Sequence, residues 1–422
     1  MSLPVPTNAA SFVSRARVCA AGGHISGANF NPAVSLALLI RGALSLTDFA
    51  AYVGAQMVGS FAGGLLGSAI SPIGGPTYTA SLQSVLVAEI VLTFALCHTV
   101  IHTATVAPAK DGMYYGLAIG FTVLSGAVSV GGISGGAFNP AVGVGLTILT
   151  YGASSTPLMV YTVGPCVGAA LAGFLFKLTH PTEASGTIGS PGYQPYVMEF
   201  IGTFLLCFTV ATAADSSNDG SLAALSIGSI LMTQVYAGAA TSGANYNPAV
   251  TLALFLDGKL KGTSAMVLTK AVGYVGAQLA GGAAAFFVGG LVGCSGAPAA
   301  SETVAAATVA GFIPTAVVVE AIGTFFLVFV VLQVAVSSNG GKDFFGLAIG
   351  FTVTSMAITL GGLSGGAFNP AVGMLSFLGS GATLPQLCNY VIGPSLGAVV
   401  AVLSFRFTNS DDYGSRGYLE MS

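Results

Sequence analysis

Four segments of this chain read Ser-Gly-x-x-x-Asn-Pro-Ala-Val, with their asparagines at Asn31, Asn139, Asn247 and Asn369. The pattern dictates local structure. Glycine permits a tight turn through positive φ. Asparagine is a preferred helix N-cap, and proline is favoured at the first helical position, where its missing N–H is no loss. Each segment is therefore expected to start a helix, at Pro32, Pro140, Pro248 and Pro370, continued by Ala33, Ala141, Ala249 and Ala371. The apolar run that follows each one is about ten residues long, roughly half of what a membrane-spanning helix needs.

The rest of the chain is built of longer apolar stretches. Ten reach spanning length, at approximately 45–68, 82–104, 113–131, 157–178, 194–214, 221–240, 264–290, 312–336, 344–361 and 385–407. An eleventh, ahead of Asn31, fails because Arg15 and Arg17 fall inside it, and a charge at mid-membrane is costly. Only 6% of the 422 residues are charged, against about 25% in a soluble protein, so most of the outside is expected to face lipid. The short runs after each Asn-Pro, flanked by spans on both sides, then read as re-entrant half-helices. Irregular backbone at that depth is tolerated only where it lines a cavity. A net charge of -3 gives no reason to expect nucleic acid. The six cysteines (Cys19, Cys97, Cys166, Cys207, Cys294, Cys388) show neither CxxC pairing nor metal spacing and mostly sit in apolar stretches, where cysteine behaves as a small hydrophobe. Residues 1–14 lack the apolar core of a secretory signal.

The chain repeats itself. LAIGFTVLSGAVSVGGISGGAFNPAVG from Leu117 returns as LAIGFTVTSMAITLGGLSGGAFNPAVG from Leu347, and SGANFNPAVSLAL at Ser26 as SGANYNPAVTLAL at Ser242. The expected domains are 1–180 and 194–422, joined by a polar linker at 181–193. A second repeat lies inside each copy: FIGTFLLCF at Phe200 and AIGTFFLVF at Ala321 each follow a glutamate, Glu199 and Glu320. Three spans recur, so the second triplet must enter from the opposite face, giving inverted topology. Charge agrees. With both termini cytoplasmic, all 11 basic residues (Arg15, Arg17, Arg41, Lys110, Lys177, Lys259, Lys261, Lys270, Lys342, Arg406, Arg416) fall in or beside cytoplasmic segments, while the other face carries Asp215, Asp219 and Glu302. That is the positive-inside pattern.

These motifs are similar to those of the major intrinsic proteins, the aquaporins and aquaglyceroporins, and the chain resembles a tandem fusion of two such units. Residues 194–407 match a complete member: Glu199 in the first span, SGANYNPAV, Ala277 and Gln278 in the third span, Glu320 in the fourth, SGGAFNPAV, and Gly393-Pro394 in the sixth. The resemblance implies an all-α polytopic protein of right-handed helical bundles with inverted repeats, about ten full spans and four half-helices. It implies that Glu199, Glu320 and, in the first copy, Glu89 hold the re-entrant loops. The family's function would be passive movement of water and small neutral solutes, with no cofactor and with assembly as tetramers, here a dimer of tandems. The lipid bilayer, of the plasma or an intracellular membrane, is the other partner implied.

Two departures qualify this. Members usually place an arginine directly after the second Asn-Pro-Ala; here Val142 and Val372 stand there. The remaining filter positions map to Ile227, Ala357 and Gly366 in the second copy, and to Ser11, Ala127 and Gly136 in the first. The filter would be wide and apolar, open to glycerol, urea or ammonia. The aspartate of glycerol facilitators is absent too, since Gly143 and Gly373 occupy its place. The first copy also lacks one span and most of another, with only 30 residues before Asn31. It is either a fragment of a full unit or a non-conducting structural module. A secondary transporter is the rival function, because transporters share inverted repeats and broken helices. An enzyme is not expected, as no catalytic or metal constellation stands out. His98 and His102, four apart on one helix face, read as packing, and His24 as a gating or an ordinary loop histidine.

Overall fold

The computed structural model describes residues 22–71, 74–106, 114–152, 155–180, 192–214, 222–294, 296, 308–309, 311, 313–338, 340, 343–379 and 383–413. Ser11, Arg15, Arg17, Cys19, Lys110, Asp215, Asp219, Glu302, Lys342 and Arg416 lie outside them, as does most of the 181–193 linker.

Backbone proximity divides the chain into two compact units. Unit 1 is Met1–Gln194 with Asp215–Ser226 and Val288–Cys294; unit 2 is Pro195–Ala214, Ile227–Phe287 and Ser295–Ser422. Unit 1 contains α1 (Pro32–Arg41), α2 (Leu46–Ile70), α3 (Leu82–Ala104), α4 (Tyr115–Ser134), α5 (Pro140–Tyr151) and α6 (Ser155–Thr179). Unit 2 contains α7 (Gln194–Ala213) almost entirely, most of α8 (Ala223–Gly238), α9 (Pro248–Lys261), most of α10 (Leu268–Leu291), α11 (Thr315–Val331) with a π-helical turn at Leu332–Val336, α12 (Phe345–Ser364), α13 (Pro370–Gly379) and α14 (Leu384–Thr408). The described strands are β1 (Thr308–Val309) and β2 (Ile313–Pro314), a two-residue antiparallel ladder.

Among the described residues, nine helices are long and apolar enough to cross a membrane. The stretch expected at 221–240 forms α8, 16 residues long, because the chain turns at 239–242 to enter the loop before Asn247. The four short helices α1, α5, α9 and α13 each begin at the proline of an Asn-Pro pair. Asn31, Asn139 and Asn247 have extended backbone as N-caps, and the side chains of all four asparagines accept from the alanine N–H two residues on, each at 2.9 Å.

Glycine sets how closely the long helices approach, as expected where small residues rather than the hydrophobic effect drive packing in lipid. In unit 1, a Cβ at Gly168 of α6 would meet the backbone of Ile90 and Phe94 in α3. In unit 2, Gly397 of α14 lies against Ala321 and Phe325 of α11, and Gly281 of α10 against Phe200 and Phe204 of α7. The Gly-Pro pairs add a second close approach: Cβ atoms at Gly164 and Gly393 would stand 2.9 and 2.7 Å from those of Glu89 and Glu320. Helix α2 differs, since Gly64 is its single buried residue.

If these approaches hold the bundle, Gly281→Val forces α7 away from α10 and lowers detergent-phase stability by about 1–3 kcal/mol, the usual cost of overpacking. Gly276→Val, where a Cβ meets nothing within 4 Å, leaves the melting midpoint near that of the wild type. Thermal unfolding of the solubilised protein compares the two.

Candidate functional site

Each half-helix is preceded by a loop of unusual backbone. The glycine of each Ser-Gly has positive φ (Gly27, 70°; Gly135, 80°; Gly243, 87°; Gly365, 94°). So does the aromatic residue just before each asparagine: Phe30 at 37°, Phe138 at 48°, Tyr246 at 51° and Phe368 at 47°. For a bulky residue that conformation is strained and persists only where neighbours over-determine it.

Buried glutamates supply the constraint at three of the four loops. Glu89 accepts from Phe138 N at 2.7 Å, Ala137 N at 3.0 Å and Ser134 Oγ at 2.8 Å. Glu320 accepts from Phe368 N at 2.6 Å, Ala367 N at 3.1 Å and Ser364 Oγ at 2.6 Å. Glu199 accepts from Tyr246 N at 2.7 Å, Asn245 N at 2.9 Å, Ser242 Oγ at 2.6 Å and Gln278 Nε2 at 2.8 Å. All three glutamates are 0% exposed. A tyrosine hydroxyl pins the same loops from another side, with Tyr161, Tyr274 and Tyr390 each donating at 2.7 Å to the carbonyls of Ser134, Ser242 and Ser364.

With the aromatic residue turned, its carbonyl points across the gap to the opposing half-helix. In unit 2, Asn247 Nδ2 donates to Phe368 O at 2.9 Å, and Asn369 Nδ2 donates to Tyr246 O at 2.8 Å. In unit 1, Asn31 Nδ2 donates to Phe138 O at 2.8 Å, and Asn139 Nδ2 donates to Phe30 O at 3.0 Å. The two half-helices of a unit are thus tied tip to tip, positive dipole ends together. Each amide nitrogen carries a second hydrogen beyond the one it gives across. Neither the aromatic residues nor the tyrosine pins are among the site residues expected from sequence. An aromatic at the third variable place of all four segments was the available signal.

The remaining positions divide by unit. In unit 1, a Cβ at Gly136 would stand 3.6 Å from Ala127 Cα, so these two lie side by side. Val142, half-buried, lines with Asn139, Ala141, Gln56 and Tyr52 a cavity of about 460 Å³. In unit 2, Ile227 and Ala357 are half-buried on α8 and α12, Gly366 lies in the loop, and Val372 is 3% exposed. Gly143 and Gly373 are held small by Tyr161 and Tyr390, whose ring Cγ atoms would stand 2.8 and 2.9 Å from an added Cβ. An aspartate at either place would displace a loop-pinning tyrosine. His24 is exposed. His98 and His102 are buried in α3 with ring centroids 4.2 Å apart, and His180 follows at 5.2 Å from His102. Among the described residues no group of three or more His, Cys, Asp or Glu side chains is placed to hold a metal ion.

Comparison with known proteins agrees on the family at both halves of the chain. The pattern of the family described as "Major intrinsic protein" matches residues 8–176 and again 188–405. The chain is 33% identical over 225 residues to the glycerol uptake facilitator protein-like 6 of Lactiplantibacillus plantarum, covering 52% of this chain and 100% of that protein. It is 31% identical over 253 residues to the aquaporin AqpM of Methanothermobacter marburgensis, covering 51% of this chain and 97% of the relative. Against the aquaporin NIP1-1 of Zea mays the identity is 39% over 166 residues, covering 38% of this chain and 58% of the relative.

Removing the Glu199 carboxylate orphans the buried donors gathered on it, each worth about 1–3 kcal/mol. Glu199→Leu is expected to melt well below wild type in detergent, with Glu199→Gln, which keeps one acceptor, in between. Equal midpoints for all three would mean that the carboxylate does not hold the loop.

Proposed function

This chain belongs to the major intrinsic protein family, and from that premise we propose that it is a passive channel for water and small neutral solutes such as glycerol, urea or ammonia. It is an integral, multi-pass membrane protein by its family and its apolar helices. The observation that carries the channel reading is the reciprocal pairing of Asn247 with Phe368 O and Asn369 with Tyr246 O. It leaves one N–H of each asparagine for a passing molecule. A water between them turns its oxygen toward both amides and its hydrogens outward, which breaks a continuous proton wire. The joined positive ends of α9 and α13 oppose cations.

Selectivity in this reading rests on Ile227, Ala357, Gly366 and Val372, none of which carries charge. The first copy offers Ala127, Gly136 and Val142, with Asn31 and Asn139 as its amide pair. In that copy Asn139 and Val142 line a cavity of about 460 Å³, and residues 1–180 would serve either as a second unit of the same kind or as a non-conducting structural module. Glu89, Glu199 and Glu320 are each engaged by backbone N–H groups and a serine. That argues against a coupled transporter, which needs a carboxylate free to change state. Residues 194–422 would form the conducting domain, with both termini cytoplasmic and two chains assembling as a four-unit ring.

Vesicles containing the protein are expected to swell rapidly in an osmotic step, without saturation and with a low activation energy. Uptake that saturates and follows an ion gradient would instead identify a transporter. In a panel of water, glycerol, urea and ammonia, Val372→Arg should reduce solute flux more than water flux; equal reductions would place the filter elsewhere.

A further inference from the structure

A half-helix is a short rod, and its tip is placed only as well as its foot is held. Helix α9 has 14 residues, roughly 21 Å at about 1.5 Å per residue. Its tip is tied by Asn247 to Phe368 O. Its foot is tied by a turn from the other end of unit 2. After α14 the backbone forms a 3-10 turn at Ser410–Tyr413. Tyr413 Oη donates to Asp257 Oδ1 at 2.5 Å, and the other carboxylate oxygen meets Lys261 Nζ at 3.1 Å. Asp257 is 4% exposed. The Lys261 ammonium stands 5.0 Å from the ring centroids of both Tyr413 and Phe405, and the Arg406 guanidinium 5.8 Å from that of Tyr413. Partial burial, and then the hydrogen bond to Asp257, hold the Tyr413 hydroxyl above the ordinary tyrosine range, so it stays a donor.

The same turn is anchored at the far end of α11. Asp412 accepts from Ser338 N at 3.1 Å and from Ser338 Oγ. Asn409 and Gln333 exchange bonds at 2.8 and 3.1 Å. Residues 409–413 therefore bridge α9 to α11, and α11 is the helix whose Glu320 holds Phe368 N. The foot of α9 is thus referred to the helix that places the carbonyl its tip must meet.

Unit 1 meets the same demand with unlike chemistry. Arg41 stands ten residues after Asn31, as Asp257 does after Asn247. It donates to Thr105 O, the C-cap of α3, at 3.0 Å, and its guanidinium lies 4.7 Å over the Phe176 ring. Helix α3 carries Glu89, which holds Phe138 N, and Phe138 O receives Asn31. One side chain does there what takes a turn of backbone in unit 2. A tie made twice with different residues marks a demand of the geometry.

We infer that residues 409–413 are a strap that positions α9 for conduction, and that Tyr413 is the positioning residue that closes it. This role rests on the channel reading of unit 2. No residue of Ser410–Tyr413 is buried, so the strap is held by polar bonds near the surface, the kind of contact that opens locally at little cost. Loss of one bond then leaves the foot loose in a large share of chains.

Hydrogen exchange and water flux, measured on the full chain in vesicles, test the two halves of the role. Tyr413→Phe keeps the ring beside Lys261 and Arg406 and removes the donor. Amide exchange over residues 258–264 should rise about tenfold or more. Osmotic permeability per folded chain, counted as the part that an Asn247→Leu, Asn369→Leu double variant loses, should fall about twofold or more. Asp257→Asn still offers the hydroxyl an acceptor and should keep most of the flux. Unchanged exchange in Tyr413→Phe would overturn the strap. Raised exchange with wild-type flux would show a contact that holds without positioning, and would overturn the inference while leaving the channel reading intact. Asp257→Asn as low as Tyr413→Phe would remove the role from the tyrosine bond. Wild-type vesicles that swell no faster than bare lipid would overturn the channel reading and the inference together.

Discussion

Everything in each unit converges on a pair of hydrogen bonds in which the asparagine of one half-helix donates to the carbonyl just before the asparagine of the other. In unit 2 these are Asn247 to Phe368 and Asn369 to Tyr246. A chain that stops halfway through a membrane leaves the N–H groups of a helix start without partners, in a medium that supplies none. Each asparagine Oδ1 accepts one of them, the alanine N–H of its own half-helix, while its Nδ2 crosses to the aromatic carbonyl of the other, which it reaches only if that carbonyl faces it. It goes with positive φ at Phe30, Phe138, Tyr246 and Phe368, and at the last three Glu89, Glu199 and Glu320 hold the aromatic N–H. The loop that points an asparagine across is thus held by a carboxylate on a neighbouring full-length helix, and that helix by a glycine on the next.

The two units reach this geometry with different residues. Phe138 packs against Gly126, with Leu92 beside it; at the matching places of unit 2, Phe368 packs against Gly323, and Met356 stands where Gly126 does. A small residue on one helix is exchanged for a small residue on the other, and the ring keeps its pocket. At the ends of α3 and α6, His102 and His180 are neighbours. Thirteen residues after Glu320 and fifteen after Pro394, the corresponding places hold Gln333 and Asn409, which exchange hydrogen bonds at 2.8 and 3.1 Å. The contact survives while its chemistry changes, so the fold constrains shape at these places more tightly than residue type.

Local features of the fold were legible in the sequence. Asn-Pro announces a helix start because capping and proline's fixed φ act within a few residues, and apolar length announces a span. The short reach of α8 was not legible, because the turn at 239–242 is set by Tyr246, whose ring fills the space beside Gly238. The crossed bonds join residues 107 to 123 apart in sequence, and no local pattern reports such a pairing. Val142 and Val372 follow identical motifs, yet one lines a cavity and the other is enclosed. What surrounds them decides that, and composition is silent about surroundings.

In the proposed function, water passes the paired asparagines one molecule at a time. Comparing osmotic with isotopic-exchange water permeability, on the same vesicles, tests it directly. Molecules that cannot overtake one another make the osmotic value exceed the exchange value, so the wild-type ratio is expected clearly above unity and should fall to the lipid background in an Asn247→Leu, Asn369→Leu double variant. A ratio of unity in the wild-type protein, with background subtracted, would contradict it.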